Sequence, residues 1–291
     1  MTVSRSDPRK GSALDSVLEQ VEEWPADNVS ASVVSGGDCA TYGDANRVYP
    51  LASVSKLISA YAVLLASEEG AFSLDQPVDS DLVEGFDCPP TVRQLLSHTS
   101  GVEFSSRIQH SPVGAKRVYS SSGFEILADV IARTTEIPFG EYVRLGVCNP
   151  LGLNIALTGS AGHGFSSDLT SMVALVREFL SPTLLAAQTM QEALTVQNPE
   201  LGGIVPGYGR QNPCPWGLGF EIHGAKQPHW LAAEMPPDVA GHFGQSGTFT
   251  WFHQRSGTAA VVLTDRPFGP WAKSRWAEFN AQLWRAANPE L

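Results

Sequence analysis

Apolar residues recur at two different periods along this chain, and the change from one period to the other divides it. Leu14, Val17, Leu18 and Val21 fall at helical spacing, which predicts a helix over 12–24 with Ser12 as its N-cap. Val29 to Val34 instead alternates apolar and small polar positions and runs into Gly36-Gly37. That predicts a strand entering a hairpin, with Cys39 to Tyr42 as the return strand. Val54, Leu57, Ile58, Tyr61, Leu64 and Leu65 then form one broad apolar helical face over 53–69. Helical periodicity, broken by Gly, Pro and Asn, dominates the middle, with helices expected over 91–98, 123–135, 139–147, 168–180 and 185–194. Residues 202–215 hold four Gly and three Pro and read as an irregular loop. Strand-like segments resume at 218–222, 247–253 and 259–264, with Arg255-Ser256-Gly257 as a turn, and 271–287 closes the chain as a helix. No internal repeat is present.

Strands toward both ends with helices between them predict one antiparallel sheet built from both termini, with a mostly helical region inserted. This is an α+β plan rather than a series of βαβ units. The expected division is 1–50 plus 202–291 for the sheet region and 51–201 for the helical region, the two forming one structural unit with a site between them.

Composition narrows the function more than the fold. The chain has 291 residues, 43% of them apolar and 17% charged, enough to bury a sizeable core. A net charge of -11, with five lysines and no basic run, excludes the concentrated cationic face that nucleic acid requires. The first ten residues are polar, with no signal-peptide pattern, and no apolar stretch approaches the ~20 residues of a membrane span. Cys39, Cys88, Cys148 and Cys214 are scattered, without metal-ligand spacing. A cytoplasmic protein with free thiols, no metal and no cofactor is expected.

Ser53-Val54-Ser55-Lys56 opens the helix after the first hairpin. Ser-x-x-Lys on a helix places both side chains on one face, one turn apart. A serine hydroxyl needs an adjacent base to attack a carbonyl, and a buried lysine can serve if desolvation lowers its pKa. With 29 serines and five lysines, roughly half of such chains would hold this spacing by chance, so the motif alone is weak. Lys56, however, sits in an apolar segment with no acid at helical spacing before it. Ser97-His98 on a helix end reads as a structural turn, because adjacent helical residues point apart, with His98 and Thr99 bonding to backbone. Tyr119 precedes a helix, and a phenol near a lysine can share or lose its proton as a general base. Gly241-His242-Phe243-Gly244-Gln245-Ser246-Gly247 lets backbone N–H groups approach a ligand. No Gly-x-Ser-x-Gly occurs, which removes the nucleophile-elbow type of hydrolase. Trp216, Phe243 and Trp251 are candidates for an apolar acyl pocket, although aromatic residues in such places are more often core.

The order of these pieces resembles the serine β-lactamase and penicillin-binding-protein superfamily, in particular the branch of class C β-lactamases, D-alanyl-D-alanine carboxypeptidases and β-lactamase-like esterases. Ser53-x-x-Lys56 looks like the first motif of that superfamily. Tyr119-Ser120-Ser121 stands where the branch has Tyr-x-Asn, and His242-Phe243-Gly244 where it has Lys-Thr-Gly or His-x-Gly. Leu95 to Gly101 matches its Leu-Leu-x-His-x-Ser-Gly segment, and 216–220 and 261–266 match its later strands. The likeness runs over about 28–285.

The resemblance implies a β-lactamase/transpeptidase-like fold and acyl transfer. Ser53 would be the nucleophile, with Lys56 and Tyr119 taking its proton. The backbone N–H groups of Ser53 and Gln245 would hold the oxyanion, and His242, Gly244 and Ser121 would border the substrate. Ser121, in place of Asn, has a shorter reach and fewer donors. Phe243 and His242 replace a small hydroxyl residue and a permanent cation, so a substrate carboxylate should be held less well. The substrate expected is therefore a small carboxylic ester or amide. A true β-lactamase or carboxypeptidase, and a catalytically weak binding protein, are the alternatives.

Overall fold

The computed structural model describes residues 8–290. Helix α1 (Pro8–Leu18) begins before Ser12, so Ser12 lies inside the helix instead of capping it. Strands β1 (Val29–Ser35) and β2 (Asp38–Tyr42) form the expected hairpin around Gly36 and Gly37, both at positive φ. After the short β3 (Tyr49–Pro50) come α2 (Ser55–Glu68), α3 (Val92–Leu96), α4 (Ser122–Thr135) and α5 (Phe139–Val143). Helix α5 runs through a π-helical turn into α6 (Asn149–Leu151). Strands β4 (Ile155–Leu157) and β5 (Phe165–Ser167), helices α7 (Leu169–Leu180) and α8 (Ala187–Leu194) complete the middle.

The segment expected to be an irregular loop contains a hairpin, β6 (Gly203–Val205) and β7 (Gly209–Gln211). Its three-residue strands are too short to show alternation, and Gly207 in the turn and Gly209 at the start of β7, both at positive φ, hide them further. Strands β8 (Glu221–Ile222), β9 (Ala240–Phe243), β10 (Phe249–His253) and β11 (Thr258–Thr264) follow, then α9 (Pro270–Lys273) and α10 (Trp276–Ala287).

The main sheet runs β2-β1-β11-β10-β9-β8 and is antiparallel throughout. Strand β1 pairs with β11, Val29 opposite Thr264, so the sheet joins both ends of the chain as expected. A smaller sheet, β3-β5-β4, ties Tyr49-Pro50 to the middle region and was not foreseen. Alternation along β11 sends Ala259, Val261 and Leu263 to a core shared with α2, α4 and α7, and Ala260 and Val262 to a second core with α1 and α10. The sheet is thus covered on both faces. Helix α2 is buried from Ser55 to Ala66, which explains why its apolar positions wrap around it. No helix among the described residues is long and apolar enough to cross a membrane.

Candidate active site

Ser53 sits in one 3-10 turn, Ala52–Val54, that leads directly into α2. The residue before it, Ala52, has φ of 46°, a left-handed conformation that costs a non-glycine residue about 1 kcal/mol or more. Ser53 thus sits in the bend just before α2, while Lys56, three residues on, lies in the first turn of the helix. The strand end opposite is pressed against the same bend. A Cβ on Gly244 would lie 2.4 Å from the Leu51 carbonyl oxygen, so glycine there lets the end of β9 reach the nucleophile. Next to it, the Gln245 N–H has no backbone acceptor among the described residues.

The Lys56 amine is fully buried. Its Nζ donates to the Gly162 carbonyl at 2.8 Å and to Ser121 Oγ at 3.0 Å, and lies 3.5 Å from Ser53 Oγ. It also stands 4.8 Å from the centre of the Tyr119 ring. Among the described residues no carboxylate pairs with it, so burial dominates and brings its pKa down from 10.5 to about 7, with the charge of Glu125 opposing. At neutral pH a large share of this amine is a free base.

Tyr119 behaves differently from the expected general base. Burial raises its pKa well above the ordinary phenol range, and a hydrogen bond with Ser53 only partly offsets that. The phenol therefore keeps its proton. Its hydroxyl lies 3.3 Å from His242 Nε2, and His242 Nδ1 lies 2.6 Å from the Phe243 carbonyl oxygen. A carbonyl can only accept, so Nδ1 carries the proton and Nε2 accepts from Tyr119. Burial, with the neighbouring Lys56, lowers the His242 pKa to about 4 and keeps the imidazole neutral. Ser53, Tyr119 and His242 thus form one line of hydroxyl, hydroxyl and imidazole.

The sequence-predicted residues therefore converge. Ser53, Lys56, Tyr119, Ser121, His242 and Gly244 meet at the edge of α2 and the end of β9. Phe243 does not join them. On a strand it points opposite to His242, into the second core against Phe268 and Trp276. Trp251 is also core, its indole bonded to Asn280. Trp216 is buried beneath the site, its ring 5.6 Å from His242 and 5.9 Å from Tyr119. None of the three lines an acyl pocket.

Three contributors were not anticipated. The Gly162 carbonyl that holds Lys56 comes from a loop more than a hundred residues away, with no local sequence signal. Glu125, one turn into α4, sets the electrostatic background and is held by Ser160. His98, at φ of 58°, accepts the Ser120 N–H on Nδ1 and packs its ring 4.8 Å from Tyr119. Its backbone role was expected; its place behind the phenol was not.

A family model described as Beta-lactamase matches residues 28–283. Among solved structures, a β-lactamase from Mycobacterium bovis is 39% identical and superimposes with a TM-score of 0.88, over 93% of this chain and 99% of that one. A D-stereospecific amidohydrolase from Streptomyces shares the fold at 19% identity and a TM-score of 0.72, over 95% and 98% of the two chains. Penicillin-binding protein 4* of Bacillus subtilis (strain 168) is 25% identical over 136 residues, which is 38% of this chain. The match spans 30% of that curated relative's length.

Proposed function

The chain belongs to the beta-lactamase family of serine hydrolases, and from that starting point we propose that it works through an acyl-Ser53 intermediate on small carboxylic esters or amides. The observation that carries the reading is the buried Lys56 amine, free of any carboxylate partner, brought to a pKa of about 7 and set 3.5 Å from Ser53 Oγ. A base is most effective when its pKa lies near the working pH. Lys56 meets that condition; His242, at about 4, is too weak, and Tyr119 holds its proton too tightly.

In the proposed reaction Ser53 Oγ bonds to the substrate carbonyl carbon while its proton passes to neutral Lys56, 3.5 Å away. The carbonyl oxygen becomes an oxyanion between the N–H groups of Ser53 and Gln245. The tetrahedral adduct collapses as the proton from Lys56 is delivered to the departing alkoxide or amine, leaving the acyl-serine ester. Water, giving its proton to the same amine, attacks that ester; the acid leaves and the Ser53 hydroxyl is restored. His242, fixed as the Nδ1–H tautomer, keeps the Tyr119 hydroxyl in place beside Ser53.

Ser121 supports the ester or amide reading over a lactam or cell-wall peptide. Its hydroxyl is engaged by Lys56 and has no second donor for an acylamide side chain. The identity to the Mycobacterium bovis protein favours β-lactam hydrolysis as the second reading. The four cysteines are unpaired, two of them at the surface, which supports a reducing compartment such as the cytoplasm.

The test is intact-mass analysis after exposure to a fluorophosphonate, beside turnover of p-nitrophenyl acetate and a chromogenic cephalosporin. One adduct and ester turnover are expected, both lost in Ser53→Ala. Ester turnover that survives in Ser53→Ala sinks the assignment. Cephalosporin turnover exceeding ester turnover moves it to the second reading, and a lasting adduct without turnover marks a binding protein.

A further inference from the structure

The phenol of Tyr119 faces two ways. Its hydroxyl belongs to the line described above, while the residue also lines a cavity of about 700 Å³ that includes neither Ser53 nor Lys56 among its lining residues. One wall is the strand-like run 115–119, and the other is the β6–β7 hairpin with its flanks. The two are joined by the Arg117 N–H to the Gly202 carbonyl. The Arg117 guanidinium is not available to a ligand. It is buried and held by the carbonyls of Ser97, Gln197, Asn198 and Cys214, so it clamps the wall in place.

The lining falls into two chemical zones. Phe104, Val118, Ile204 and Pro206 give an apolar stretch that begins at Tyr119, where the Phe104 ring stacks 6.0 Å away. Phe104 and Ile204 are 50% and 63% exposed, high values for residues of this size. The Phe104 backbone is tied to the site, since its carbonyl accepts the N–H groups of Ser121 and Ser122. The second zone is cationic. The exposed Lys116, Arg210 and His110 also line the cavity, with Lys116 Nζ 3.5 Å from His110 Nε2, and no carboxylate is among the lining side chains. Neither Lys116 nor Arg210 has an ion-pair partner among the described residues. In a chain with 30 acids and 19 lysines and arginines, a wall with cations and no acid is a departure from the average surface.

Resting on the acyl-Ser53 reading, we infer that the preferred substrate is an ester or amide with one long arm, an apolar segment that lies along Phe104, Val118 and Ile204 and ends in an anionic group held by Lys116 and Arg210. An apolar arm gains by leaving water along the first zone, and the terminal anion adds charge-assisted contacts at the second. Both cations are exposed, so the anionic preference is modest and weakens with salt.

The arm can belong to either side of the scissile bond, and two ester series separate these sources. One is p-nitrophenyl acetate, octanoate and the mono-p-nitrophenyl ester of suberic acid. The other is the acetate esters of octanol and of 8-hydroxyoctanoic acid. We expect kcat/KM to rise with chain length and to rise again, roughly tenfold, for the carboxylate-ended member of one series. The double variant Lys116→Gln/Arg210→Gln should lose that second rise while leaving the neutral octanoyl or octyl ester unchanged. Ile204→Ser should reduce the first rise and leave acetate turnover intact. No preference for the carboxylate in either series, or one that survives the double variant, overturns the inference even when Ser53→Ala abolishes all turnover. Binding keeps the proposal testable if no ester is hydrolysed. Monomethyl suberate should bind folded Ser53→Ala more tightly than dimethyl suberate, with the difference gone in the Lys116/Arg210 background, and equal binding overturns it.

Discussion

Lys56 and Lys226 are both sealed from water, at 0% and 2% exposure, yet the chain surrounds them in opposite ways. Around Lys56 every close oxygen is neutral: two serine hydroxyls and the Gly162 carbonyl. Lys226 Nζ lies 2.9 Å from Glu221 Oε1, and Glu221 in turn meets His229 Nε2 at 2.9 Å and Trp230 Nε1 at 3.0 Å. Burial pushes the Glu221 carboxyl up, but Lys226 and His229 outweigh it and hold it well below the usual carboxylate range. The second cluster is a compensated ion pair beneath Trp216, whose ring forms the floor under Tyr119 and His242. The difference shows what turns a buried amine into a base: the absence of a paired carboxylate. Placement in an apolar setting is common to both lysines and does not decide the role.

The largest effect should come from erasing the uncompensated amine. Lys56→Met is expected to lower kcat/KM for p-nitrophenyl acetate by roughly 10³-fold, with an unfolding midpoint at or above the wild type's. A large loss of stability with no specific loss of rate would mean that Lys56 is structural too. Breaking the compensated pair should do the reverse. Lys226→Met leaves Glu221 buried without its cation and should cost about 3–5 kcal/mol in denaturant unfolding, while the fluorophosphonate still labels the folded fraction. Lys226→Met/Glu221→Gln should recover most of that stability.

A subtler effect is the pH profile. Neutral Lys56 is the active form, so kcat/KM should rise as pH increases through about 7 and then level off. A profile flat from pH 6 to 9 would remove Lys56 as the base. The smallest effect sharpens the same point. Glu125 raises the Lys56 pKa, so Glu125→Gln should move the inflection to lower pH by a few tenths of a unit.

What the sequence made legible follows the same line. Ser53 and Lys56 could be paired because helical spacing is local, and the β1 hairpin because alternation and Gly36-Gly37 are local. His242 was visible as a residue but not as part of a strand, since Gly241 and Gly244 break the β9 pattern. Those glycines are there because other chain comes close; a Cβ on Gly241 would lie 2.2 Å from the Thr250 carbonyl oxygen. The Gly162 carbonyl, the Tyr119-to-His242 contact and the Glu221 cluster arise where distant segments meet, and no spacing encodes them. The direction of the Tyr119 shift was misread for a related reason: the sequence shows a lysine nearby but not the depth of burial, which decides the sign.

The desolvated Lys56 also couples folding to hydrogen-ion release. In the unfolded chain the amine titrates near 10.5, and in the native chain near 7. Between those values the unfolded chain binds one more proton, so folding releases a proton and stability from this group increases as pH rises. The penalty is complete below about pH 7 and vanishes above about 10.5, on the order of 1.4 kcal/mol for each unit crossed. The native state therefore carries its reactive amine as a thermodynamic load at neutral pH, and calorimetric unfolding at pH 8.5 in buffers of different ionisation enthalpy should register that proton.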